Sequence, residues 1–170
     1  KYPNALFFVF IYDAGGDGNV VSALFDRVKN MIKEGYRFVY AIQDLYDTPR
    51  SKEQIVQDNF KRKEKQFGLK IQLTLILAIM EIEAWFLADY DLFSRINKIA
   101  TPAYIKENLN IDLIKKNPEL HPHPAEVVNK IYQLFNQKYK KREEQSYKIA
   151  HKIDYEFLYS DELTSRIKSW

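Results

Sequence analysis

The chain has 170 residues, enough for one domain with a buried core, and its 46% hydrophobic content with 12 Tyr and 11 Phe excludes a disordered chain. It contains no cysteine, which excludes disulfides, iron–sulfur clusters and thiolate zinc sites and fits a reducing compartment such as the cytoplasm. A formal net charge of +3 is too small to demand a polyanionic partner, and the longest apolar run, Leu73 to Met80, is too short to span a membrane.

Leu6 to Tyr12 (LFFVFIY) reads as a buried strand, closed by the turn Asp13-Ala14-Gly15-Gly16-Asp17-Gly18. Val20, Val21, Leu24, Phe25, Val28, Met31 and Ile32 then recur at helical spacing, with Asn19 as the expected N-cap and Gly35 as the stop. A second strand begins at Tyr36 and ends in Gln43-Asp44-Leu45-Tyr46-Asp47, and Ser51 with Gln54 matches a capping box for a charged helix to about Gly68. Leu69 to Met80 is almost continuously apolar, and Glu81-Ile82-Glu83-Ala84-Trp85-Phe86-Leu87-Ala88-Asp89 turns that strand into a helix. The pattern predicts three parallel strands near 6–12, 37–43 and 70–80, each covered by helices on both faces. Beyond Leu92, helices led by Thr101-Pro102, His123-Pro124 and Ser160-Asp161 take over. The expected organisation is an α/β domain over 1–92 with a helical extension over 93–170 packed on it.

In parallel sheets, sites form at the carboxyl ends of strands, and Asp13, Asp44, Asp47, Glu81 and Glu83 all fall there. Asp44, Asp47, Glu81 and Glu83 are of the type that holds magnesium, but the same residues also suit a turn before Thr48-Pro49 and a helix start. Two carboxylates directly after a run such as LTLILAIM are costly to bury unpaired, so at least one is expected to have a partner. Trp85, Phe86 and Tyr90 read as core packing ahead of a base-stacking platform. The Gly15–Gly18 turn lacks the lysine of a P-loop and reads as a tight strand-to-helix connection. Lys61-Arg62-Lys63 and Lys138-Tyr139-Lys140-Lys141-Arg142 are candidate phosphate contacts or solvated helix faces. The three histidines show no metal spacing.

The order of these elements, with DAGGDGN, QDLYD, EIEAWFLAD and a tail containing YKK, resembles bacterial TOPRIM-like proteins related to the RloB family. The resemblance covers most of the chain, and Glu81-x-Glu83-Ala84-Trp85 with Asp44 is its most specific part. It implies a parallel TOPRIM-like (Rossmannoid) sheet flanked by helices, with a helical C-terminal extension. It also implies a Mg2+- or Mn2+-dependent nuclease acting on DNA or RNA in phage defence or another mobile-element setting. Asp44, Glu81 and Glu83 would be the catalytic and metal-binding residues. Asp47 stands three positions after Asp44 where the family has two, and Lys140, Lys141 and Arg142 would grip the nucleic-acid backbone. The opening strand here matches the family's second element, so either a first strand with its own glutamate is expected upstream of Lys1 or the site is degenerate, and without that strand the chain should cleave poorly. The alternatives are a non-catalytic module for a protein partner and a nucleotide-binding regulator using the Gly15–Gly18 turn.

Overall fold

A computed structural model describes residues 8–46, 52–69 and 71–158. A 3-10 turn at Asp17–Asn19 leads into α1 (Val20–Lys33), which buries Leu24, Phe25 and Val28 on one face. Asn19 makes no side-chain bond to the helix start, so the predicted N-cap is not used. Gly35, at a φ of +89°, ends the helix in a left-handed position that a side chain would strain. Strands β1 (Phe38–Asp44) and β2 (Gln72–Ala78) pair in parallel, with Phe38 opposite Gln72 and Asp44 opposite Ala78. The crossover between them is α2 (Glu53–Phe67), stopped by Gly68 in the left-handed region. The capping residue predicted at Ser51 lies outside the described residues.

Helices α1 and α2 lie on the same face of this sheet. Leu24, Phe25 and Val28 of α1, Phe60 of α2, Ala41 of β1 and Leu73 of β2 form one core, and the Phe25 ring meets those of Phe60 and Phe67 at 5.6 and 4.9 Å. The opposite face is open: Phe38, Tyr40 and Ile42 are 58%, 59% and 51% exposed. This corrects, among the described residues, the expectation of strands covered on both faces, since alternate β1 side chains point away from the α1 and α2 side.

The first predicted strand is corrected as well. Residues 8–12 form no strand and are exposed, whereas Leu6 and Phe7 lie outside the described residues. Side-chain contacts hold the segment: the Arg27 guanidinium stands 3.8 Å over the Tyr12 ring, and Phe10 lies 6.5 Å from Tyr36. Apolar, β-branched composition makes a segment suitable for a sheet, but ladder hydrogen bonds arise only beside a partner edge. Among the described residues the sheet has two strands.

The rest is helical: α3 (Glu83–Ala88), α4 (Leu92–Ile96), α5 (Pro102–Leu109), α6 (Pro124–Gln133), α7 (Glu143–Ala150) and α8 (Tyr155–Leu158). Thr101 caps α5 by accepting from Tyr104 N at 3.2 Å, as its Thr-Pro start predicts. A second core gathers Leu87 of α3, which follows β2 in the chain, with Phe93, Ile105, Val128, Ile131 and Tyr132 of the helical part. The side chain of Asp89, after α3, accepts from Arg95 Nη2 and from Asp154 N at 2.9 Å, while Arg95 Nε donates to Lys152 O at 2.7 Å. Those bonds fasten the α7–α8 turn to α3 and α4. Among the described residues no helix is long and apolar enough to cross a membrane.

His121 provides a pH test of this packing. It is 6% exposed, with Lys116 Nζ 3.4 Å from its Nδ1, and burial followed by that positive charge pulls its pKa from 6.5 down to about 4. The folded ring therefore stays neutral while the unfolded ring takes up a proton below about pH 6.5. The stabilising contribution is complete above that pH and is lost as pH falls toward about 4, a difference of about 3 kcal/mol at most. Denaturant midpoints across this range should fall in the native protein, and a shallower fall in His121→Leu is expected. Identical pH profiles would rule His121 out as the cause.

Candidate functional site

Strand β2 ends at Ala78, and Met80 then takes a φ of +69°, a left-handed conformation uncommon for a bulky side chain. Backbone bonds from Ala84 N to Glu81 O (2.9 Å) and from Trp85 N to Ile82 O (3.0 Å) wind the chain straight into α3. This turn places Glu81 and Glu83 at the carboxyl end of the parallel sheet, where they are only 8% and 1% exposed.

Both buried carboxylates have partners from the helical part. Glu81 Oε2 accepts from Ala125 N at 2.9 Å, in the first turn of α6, where backbone donors and the helix dipole favour an anion. Glu81 Oε1 accepts from Lys141 Nζ at 2.9 Å, and Glu83 Oε1 accepts from the Tyr139 hydroxyl at 2.8 Å. Lys141 Nζ also stands 3.2 Å from Glu83 Oε2, within ion-pair range, though that oxygen receives no hydrogen bond. One ammonium thus bridges two carboxylates, and with both carboxylates ionised the cluster keeps one negative charge in excess.

Electrostatics holds the donors in place. Burial works against the Lys141 charge, but the hydrogen bond to Glu81 and the charges of Glu83 and Glu81 outweigh it and hold the ammonium above its ordinary pKa of 10.5. Burial and then the Glu83 charge push the Tyr139 phenol well above its usual range, so its proton stays on oxygen as a donor. Tyr139 is positioned by its own N–H, which donates to Asn129 Oδ1 at 3.0 Å, and by the Tyr132 ring 5.6 Å away.

A cleft of about 540 Å³ opens beside Glu83, walled by Trp85, Phe86 and Tyr155 and rimmed by Lys141 and Arg142. Trp85 and Phe86, read from the sequence as core, line this cleft instead, whereas Tyr90 packs edge-on against Phe157 at 5.1 Å.

Of the residues singled out in the sequence, Glu81, Glu83 and Lys141 come together, and Arg142 stands at the rim of the same cleft. Asp44 ends β1 directly opposite Ala78, beside the strand end that carries the glutamates. Asp47 lies outside the described residues. Lys140 and Arg142 are exposed, while Lys141 turns its charge inward. Gly15 and Gly16 adopt φ of +74° and +124°, which accounts for both glycines by turn geometry alone. Sequence reasoning missed Tyr139 and the Ala125 N–H as partners of the glutamates. The aromatic inside the KYKK cluster was a visible signal of the first, and nothing local signals the second.

Among the described residues, no group of three or more His, Cys, Asp or Glu gathers to hold a metal ion. The pair itself is nevertheless of the right type for a hard cation, offering carboxylate oxygens of which one, Glu83 Oε2, is buried without a hydrogen bond. No family model, curated protein or solved structure matches the chain.

Proposed function

We propose that the chain is a TOPRIM-like, magnesium- or manganese-dependent nuclease domain whose site is the Glu81–Glu83 pair, with Asp44 at the neighbouring strand end. The observation that carries this reading is the Lys141 ammonium bridging two buried carboxylates at 2.9 and 3.2 Å, a place where the same oxygens suit a hard cation. A divalent ion bound there would orient the phosphodiester and stabilise charge developing on it. The protein's own groups have separate tasks. Tyr139 and the Ala125 N–H keep Glu83 and Glu81 aimed, and Lys141, once released from the carboxylates, is near enough to serve a phosphate. The exposed Lys140 and Arg142 contact the nucleic-acid backbone. Phage defence rests on the family resemblance alone.

The test is thermal unfolding in millimolar magnesium or manganese, beside cleavage of plasmid and single-stranded DNA. The melting temperature should rise with metal in the native chain and not in Glu83→Gln, because a ligand that binds only the folded state stabilises it by mass action. Cleavage should be weak and should disappear in the same variant. A melting temperature indifferent to both metals would sink the reading. The open face bearing Phe38, Tyr40 and Ile42 favours a second one, a protein-interaction module on the same fold, which predicts that indifference.

A further inference from the structure

The cleft beside the acidic pair extends this reading and rests on it: we propose that it receives one unstacked nucleotide of a single-stranded nucleic acid, with the base between aromatic walls and the phosphate toward Arg142. Its volume of about 540 Å³ falls within the ~300–1,000 Å³ of small-molecule sites. The walls are aromatic on two sides, Trp85 and Phe86 from α3 and Tyr155 from α8. Tyr155 is 54% exposed while its hydroxyl donates to Ala150 O at 3.0 Å, so the side chain is tethered by its own chain and still open to the cleft it lines.

A duplex shows proteins its base edges and phosphates, whereas an unpaired base offers a π-face that aromatic side chains stack on regardless of sequence. The polar end suits the rest of a nucleotide. The Arg142 guanidinium makes no hydrogen bond or ion pair among the described residues, unlike Lys141, which already serves two carboxylates. Glu83 also lines the cleft, and its buried Oε2, 3.2 Å from the Lys141 ammonium, accepts no hydrogen bond, so it keeps acceptor capacity for a further partner. A phosphate accompanied by a hard cation would bring one.

Trp85 itself reports occupancy once the second tryptophan is removed by Trp170→Phe. Its fluorescence should be titrated, with calcium replacing magnesium to prevent cleavage, against three probes: a short thymidine oligonucleotide, an abasic strand of equal length and a duplex. The base-bearing single strand should bind saturably, at least about tenfold tighter than the other two, the size of one lost base stack. Tyr155→Ala should weaken the base-bearing strand about tenfold and leave the abasic strand unchanged, which a merely unfolded variant would not do. Arg142→Gln should weaken all three and flatten the salt dependence. Equal affinity for the base-bearing and abasic strands, or no binding of either, overturns the cleft proposal, and metal-induced stabilisation of the chain would still support the acidic site. Saturable, base-dependent binding that persists in Glu83→Gln without metal supports the cleft and counts against the metal reading.

Discussion

Lys141→Met is expected to destabilise the protein by about 2–3 kcal/mol and, at the same time, to strengthen its response to magnesium. Breaking a buried ion pair by removing one partner costs ~3–5 kcal/mol, because the other charge is left without compensation. The Lys141 side chain is 54% exposed, so solvent screens part of that loss, whereas the Glu83 side chain at 1% cannot reach solvent. The variant holds two carboxylates with only the Tyr139 hydroxyl and the Ala125 N–H to serve them, and a divalent ion then meets no competing ammonium. The two effects have opposite signs, which separates them from general damage to the fold.

The pH dependence has a defined direction. The ammonium is held above its ordinary pKa of 10.5, so its contribution is complete below that value and is lost as pH rises through the higher folded-state value. Native protein should therefore lose stability on the alkaline side more steeply than Lys141→Met. Pairing the substitution with Glu83→Gln should recover much of the loss, since the buried charge goes with its partner. Urea denaturation with and without magnesium measures all of this, and a Lys141→Met protein of native stability and native metal response would show that the bridge is decorative.

Asp89→Ala is expected to have the largest effect on stability, about 3–5 kcal/mol. The Asp89 side chain is 2% exposed and accepts from Arg95 and from the Asp154 N–H, so removing it leaves that backbone donor unpaired and the guanidinium, 34% exposed, with its bond to Lys152 O alone. Asp89→Asn keeps an oxygen for Asp154 and should cost roughly half as much. Because these bonds fasten the α7–α8 turn, limited proteolysis near residues 150–154 should quicken in Asp89→Ala before global unfolding does. Uniform protection of that turn in the variant would place the anchoring elsewhere.

Much of the fold was legible in short stretches of sequence. The 3.6-residue recurrence from Val20, the Gly35 and Gly68 stops, the Thr101-Pro102 start and the switch at Glu81 all appear as read, because each depends on residues within a turn or two. The awkwardness of Glu81 and Glu83 was also legible, since a carboxylate beside LTLILAIM must find a partner wherever the chain goes. Which partner it finds is another matter: Lys141 lies 60 positions from Glu81 and Ala125 lies 44.

The sequence by itself determined where α1, α2, α3, the starts of α5 and α6 and two of the strands lie, and that at least one of the glutamates would have a partner, for those follow from local periodicity, capping and the cost of burying charge, whereas the helix expected at Ser160-Asp161 lies outside the described residues. Only the tertiary structure decided that residues 8–12 stay outside the sheet and that Phe38, Tyr40 and Ile42 face solvent. An apolar strand sequence is compatible with one covered face or two, and the choice falls to where α1 and α2 pack. Likewise, a run of lysines looks the same whether it faces water or a buried carboxylate. Lys141 turns inward while Lys140 stays exposed because the segment before α7 passes beside Glu81 and Glu83, and its place along that segment decides which ammonium meets them.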